Sequence, residues 1–167
     1  PLQQAYTSTL EQNMIDHWPV GETYALDLLD EFVRKRLNHY KQARDFPAQV
    51  GTSQLSAYLN IGILSIRQCI QALFRQQHGD FVIQSESQQV WLDELLWREF
   101  YQHILFDFPQ VSKHLPFKSS TQNIPWRDDL IALEQWQQGK TGIPIVDAGM
   151  RQLLATGWMH NRVRMIC

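Results

Sequence analysis

The chain has 167 residues, a net charge of −2 and two cysteines. That length can bury the core of one domain, and the charge excludes a polycation that would hold nucleic acid by bulk attraction. Cys69 and Cys167 stand alone, without Cys-x-x-Cys or histidine-rich spacing, so neither a disulfide framework nor a metal site is expected, and a reducing, cytoplasmic setting fits. No apolar run approaches the roughly 18 residues of a membrane span, and no signal peptide is visible.

Charge is unevenly placed. Residues 1–33 hold six acids and no lysine or arginine, leaving eleven acids against fifteen bases from residue 34 onward. A local basic face is therefore compatible with the net negative charge. The chain starts at Pro1 and stops at Cys167 inside an apolar, basic run with no helix-ending signal, and so reads as an excised piece.

Residues 1–21 are polar, weakly periodic and closed by Trp18, Pro19, Val20 and Gly21, which reads as a linker or leading loop. Ala25, Leu28, Leu29, Phe32, Val33 and Leu37 then repeat at helical spacing, predicting a helix over about 22–40. A charged, proline-bearing loop from Arg44 to Gly51 leads to a short helix predicted from Ser53 to about Asn60. Ser65 and Gln68 form a capping box for a helix ending near Gly79. Ser85 and Gln88 open a long helix that ends before Pro109. Residues 109–127 form a loop with three prolines, after which Asp128 is placed to cap a helix running to Gly139. Pro144 suits the first turn of another helix, stopped by Gly157. A last one starts around His160 and is cut by the chain end, which would leave Trp158, Val163, Met165 and Ile166 without partners. Only residues 81–83 hint at a strand, so the expectation is an all-α, multi-helix fold.

Chemistry concentrates in two stretches. Residues 91–101 place Trp91, Glu94, Arg98 and Tyr101 along one side of a helix, with Trp97 on the neighbouring row. A core stripe is built mainly from Leu, Ile, Val and Phe, and charges are rarely buried unpaired. That side should meet a ligand or a buried polar partner; the plainer alternative is an intrahelical Glu94–Arg98 pair flanked by half-buried aromatics. Residues 157–165, GWMHNRVRM, crowd an aromatic, a thioether, an imidazole, an amide and two guanidiniums together. Asn161 can read a nucleobase or a flavin edge, because its amide both donates and accepts. Arg162 and Arg164 with it also suit a solvated basic face. His160 is either a proton donor or a structural imidazole held by a local hydrogen bond. Between residues 51 and 56, Thr52, Ser53 and Ser56 supply hydroxyls where a loop enters a helix, fitting either a phosphate site or ordinary N-capping.

These stretches, with Tyr40, the run Arg44 to Pro47 and the segment 136–150 (WQQGKTGIPIVDAGM), resemble the flavin-binding domain of DNA photolyases and cryptochromes over about residues 22–167. The resemblance implies that 22–167 is the N-terminal half of a helical FAD-binding catalytic domain, closest to that of photolyases acting on cyclobutane pyrimidine dimers. It implies FAD as cofactor, active when reduced, held by Tyr40, Thr52, Ser53, Gln54, Leu55, Ser56, Trp91, Arg98 and Arg164. It places Arg44, Glu94, Trp97, Arg98, Tyr101, Asn161, Arg162 and Met165 toward UV-damaged DNA, with Glu94 and Asn161 at the dimer and Trp97 as a flat wall for an extruded base. It makes Trp126 the solvent end of a tryptophan chain that reduces the flavin; otherwise Trp126 anchors its loop and Arg44 is one surface arginine among several. A second, antenna chromophore is expected in a domain outside this chain. No membrane and no obligate protein partner are expected. A cryptochrome-type light receptor, or a non-catalytic helical module binding single-stranded nucleic acid, remain the alternatives.

Overall fold

The computed structural model describes residues 16–75 and 80–167. Most of the expected leading loop, 1–15, and the expected stop at Gly79 lie outside the described residues. The periodic stripe after Gly21 forms α1, Glu22–Glu31. It is not one regular helix to residue 40 as its spacing suggests. The coil widens into a π-turn at Phe32–Arg36, tightens through a 3₁₀ turn at Leu37–His39, and ends as α2, Tyr40–Ala43. Every apolar position of the stripe except half-buried Leu28 is buried, so hydrophobic periodicity survives a change of winding that it does not reveal.

The short helix α3 is Ser56–Asn60, starting three residues later than the hydroxyl at Ser53 suggests. α4 is Ile66–Arg75 and carries the expected capping box: the Gln68 amide donates to Ser65 Oγ at 3.2 Å, and Gln68 Oε1 accepts from the Ser65 amide at 2.8 Å. Residues 81–83 form no strand, and there is none among the described residues, so the chain is all-α. The long helix α5, Glu86–Asp107, is capped by Ser85 as expected.

Two 3₁₀ turns, Pro109–Lys113 and Ser119–Thr121, punctuate the proline-bearing loop. α6, Leu130–Gln137, is capped by Asp129 rather than Asp128: the Asp129 carboxylate accepts the Ala132 amide at 2.9 Å, the spacing an N-cap requires. α7, Pro144–Thr156, starts on its proline and stops at Gly157 (φ 70°). α8, Asn161–Arg164, is a single turn begun by His160, and it ends before the chain does.

Two clusters of buried side chains organise these elements. In the larger, α1, its π-turn, α2 and α4 pack on α5 around Phe32, Leu37, Leu55, Leu64, Cys69, Leu73 and Trp91. Burial pushes the Cys69 thiol up to about 11, so it behaves as a small apolar group. The smaller cluster joins α7 to α8 through Val146, Met150, Met159 and Val163. Val163 therefore has its partners within the chain, contrary to expectation, while Met165 and Ile166 are exposed. Asp147 staples the loop before α7 by accepting the Thr141 amide and hydroxyl, at 2.7 and 2.6 Å, and the Gly142 amide at 3.0 Å, and these hydrogen bonds hold its carboxyl below the usual range.

Close approach of α8 to α7 depends on Gly149. A Cβ there would lie 2.4 Å from Val163 Cγ1 and 3.1 Å from Cys167 Sγ. Gly149→Ala pits a helix-propensity gain of about 1 kcal/mol against an overpacking cost of about 1–3 kcal/mol. The second should win. Urea denaturation is expected to show the variant destabilised, with amide exchange fastest in residues 157–167; a variant more stable than wild type would mean that α8 yields freely.

Candidate active site

One groove runs between the loop entering α3, the first half of α5 and the segment 157–164. It comprises two adjoining cavities of about 390 and 880 Å³ that share Tyr40, Ser53, Ser56, Glu94, Trp158 and Arg164 as walls. The smaller is rimmed by residues 52–56, Arg44 and residues 158–162; the larger extends past Trp91, Leu95 and Arg98 to Trp18.

The entry loop is held in place from beneath. Arg36 Nη1 donates to the Thr52 carbonyl at 3.0 Å. Gly51 lies against α2 so closely that a Cβ would meet the Ala43 carbonyl oxygen at 2.4 Å. Gln54 then takes a left-handed conformation (φ 57°) followed by right-handed Leu55. A non-glycine residue in that region costs about 1–2 kcal/mol. Such a left–right alternation turns successive N–H groups to one side, the geometry of an anion-binding nest. No side chain caps α3. The hydroxyls of Thr52, Ser53 and Ser56 are thus not engaged as N-caps, and all three line the smaller cavity.

Along α5 the residues part company. Trp91 is 2% exposed: its ring packs 5.1 Å from that of Phe32, and its edge reaches the larger cavity. The intrahelical Glu94–Arg98 pair does not form. Arg44 Nη2 lies 2.7 Å from Glu94 Oε1, and Arg98 Nη2 donates instead to the Leu59 carbonyl at 3.0 Å, satisfying a carbonyl at the end of α3. Arg44 also lies over the Tyr40 ring, 5.4 Å from its centre. Burial, only partly opposed by the Arg44 charge, pushes the Tyr40 phenol up to about 12, so it stays neutral. Trp97 and Tyr101 do not line either cavity. They form, with Phe100, an exposed aromatic cluster outside the groove.

Asn161, Arg162 and Arg164 face the smaller cavity, which sets them apart from a merely solvated basic face. Arg162 Nε lies 2.7 Å from Asp45 Oδ1. Met165 is exposed and outside the cavities, and Trp126 is 81% exposed in its loop. Trp18 was hidden from sequence reasoning: its indole donates to the Thr156 carbonyl at 2.6 Å, and its ring packs near Tyr58, closing one end of the larger cavity. The only signal was a lone tryptophan in an otherwise polar segment.

Residues 91–167 match the family model described as the FAD binding domain of DNA photolyase. The chain is 49% identical over 150 residues to the deoxyribodipyrimidine photo-lyase of Escherichia coli, covering 90% of this chain and 31% of that protein. With the enzyme of the same name from Vibrio cholerae it shares 52% identity over 139 residues, 83% of this chain and 29% of the relative. The chain thus spans about a third of the length of the curated relatives it matches. Among solved structures it superposes on a class III photolyase from Agrobacterium tumefaciens with a TM-score of 0.89 at 39% identity, over 99% of this chain and 34% of that one. A Synechocystis cryptochrome gives 0.78 at 30% identity, over 93% and 32%.

His160 governs the segment that carries Asn161 and Arg162. It is 2% exposed, and its Nδ1 accepts the Arg162 amide at 3.2 Å, capping α8 in place of the usual hydroxyl or carboxylate. That bond needs a neutral imidazole. Burial first, then the Arg162 charge, holds the His160 pKa below its ordinary value, with Asp45 acting in the opposite sense. A depressed folded-state value means that the contribution is complete above the ordinary histidine pKa of about 6.5 and disappears as pH falls through the lower folded value. Protection of the Arg162 amide, corrected for intrinsic exchange, should therefore collapse on acidification below that range. In His160→Ala it should be low and insensitive to pH throughout; a flat wild-type profile would refute the imidazole cap.

Proposed function

We propose, for a chain that belongs to the DNA photolyase and cryptochrome family, that the protein carrying it is a cytoplasmic flavoenzyme that repairs cyclobutane pyrimidine dimers in UV-damaged DNA using light. The observation that carries this reading is the groove itself, where a hydroxyl-bearing loop with a nest geometry lines the same cavity as Glu94 and Asn161, adjoining the one that Trp91 borders. The residues present fit FAD. Thr52, Ser53, Gln54, Leu55 and Ser56 would take its diphosphate through amides and hydroxyls. Tyr40, Trp91, Arg98 and Arg164 would bound its rings, and a second, antenna chromophore would bind outside this chain. Reduced flavin bound there would supply the light-excited electron that opens the dimer.

The chain's own residues would bind and orient the DNA. Glu94, already fixed by Arg44, would present its second carboxylate oxygen to a pyrimidine N–H of a flipped dimer, and Asn161 would read the same bases. Arg162 would meet the flanking phosphate. Trp97, Tyr101 and Met165 lie outside the cavities and would contribute at the mouth, Trp97 by stacking. Arg44, assigned to the DNA backbone by resemblance, is engaged by Glu94 and only 16% exposed in its side chain, so its contribution would be mainly to hold Glu94.

The test uses the full-length protein with reduced flavin, blue light, and duplexes with and without a dimer. Loss of a hydrogen bond to a charged group costs roughly 1.5–3 kcal/mol. Glu94→Gln, which keeps an acceptor for Arg44, should lose preference for dimer-containing DNA and repair fewer dimers per photon, while undamaged DNA binds at least as well. Wild-type protein that repairs no dimers would favour a photoreceptor; repair by Glu94→Gln at the wild-type yield would reject the role of Glu94. In the same protein Trp126→Phe should slow photoreduction of oxidised flavin and leave repair by pre-reduced enzyme nearly unchanged. Unaltered photoreduction would remove that role from Trp126.

A further inference from the structure

Two consecutive residues of opposite charge, Arg44 and Asp45, leave the end of α2 and pair in opposite senses with two separate elements. Arg44 meets Glu94 on α5, and Asp45 meets Arg162 on α8, each at 2.7 Å. Glu94 and Arg162 both line the smaller cavity, together with Arg44 and Arg164. We infer that Asp45 is a positioning residue for damage recognition: by holding Arg162 side-on, it sets where α8 presents its guanidinium and Asn161 relative to Glu94. The inference rests on the groove being the dimer site.

Three features support placement over stability. The Asp45–Arg162 pair is substantially exposed, 54% and 38% in its side chains, and such pairs add little to folding free energy. The contact consumes Nε on the flank of the guanidinium, so it leaves both terminal NH₂ groups for the bidentate phosphate contact that arginine makes best. Arg162 is also fixed at its backbone, where His160 Nδ1 accepts its amide at 3.2 Å. With its backbone amide and Nε both engaged, Arg162 has fewer directions in which its terminal NH₂ groups can reach. A carboxylate beside a phosphate-binding arginine would also repel DNA that follows any other path, favouring a distorted duplex over a regular one.

This combination predicts opposite movements. In the full-length protein, Asp45→Asn keeps the shape and removes the charge. Preference for dimer-containing over undamaged duplex is expected to fall roughly tenfold, the effect of losing one good charge-assisted contact. Affinity for undamaged duplex should hold or rise, with a salt dependence steeper by about one counterion, because Arg162 is released to an ordinary phosphate. Flavin content should not change, and Asp45→Glu should restore most of the preference. In an Arg162→Gln background, Asp45→Asn should have no further effect, since the carboxylate acts through that guanidinium. Undiminished preference in Asp45→Asn, equal loss of damaged and undamaged binding, or full additivity with Arg162→Gln would each overturn the role of Asp45. Wild-type protein with no dimer preference would instead remove the dimer-site reading, and this proposal with it.

Discussion

The Phe32 ring is the contact on which both core and groove depend. It is fully buried, edge-on to Tyr40 at 5.7 Å and tilted against Trp91 at 5.1 Å, with the Arg36 guanidinium 5.6 Å over it. Tyr40 and Trp91 are walls of the groove, and Arg36 holds the Thr52 carbonyl. One side chain therefore ties α1, α2, α5 and the entry loop together. Truncating such a buried aromatic costs about 3–5 kcal/mol, a large share of the total stability of any domain. The floor of the site is as rigid as the core because it is the outer face of the core.

That rigidity explains how a strained loop persists. Gln54 in the left-handed region would relax in a free peptide, but Arg36 fixes the Thr52 carbonyl just before it, and the adjoining Gly51–Ala43 contact admits no side chain. The π-turn at Phe32–Arg36 belongs to the same arrangement, because it carries both the buried ring and the guanidinium that reaches the loop.

The fold was largely legible from the sequence, for reasons local to each element. The Ser65–Gln68 box, the Ser85 cap, Pro144 and Gly157 are chemistry complete within a few residues, and the structure places them as read. Sequence could not show winding changes that preserve periodicity, as at Phe32–Arg36, nor choose between adjacent aspartates for one cap. In the site, composition pointed to the right stretches but not to the partners. Glu94 and Arg98 are ideally spaced to pair, yet each finds a better partner across the fold, Arg44 and the Leu59 carbonyl. A pair of charges on one exposed helix face stabilises by only a few tenths of a kcal/mol, so any half-buried tertiary alternative displaces it. Trp18 could not be placed at all, because its partner lies 138 residues away.

The function proposed above asks a chain of net charge −2 to meet a polyanion. Bulk attraction is unavailable, and it would reward every duplex alike. Here three of the four arginines lining the groove are tethered: Arg44 to Glu94, Arg98 to a helix carbonyl, Arg162 to Asp45. Each tether lowers the reach of its guanidinium toward an arbitrary phosphate and restricts the direction in which it points. On the proposed reading, a surface so arranged would give up non-specific affinity in exchange for geometry, and only DNA bent or opened enough to enter the groove would meet its charges together. With a dimer as the proposed occupant, selectivity for damage would follow from deformability, since a lesion that weakens stacking lowers the cost of extrusion.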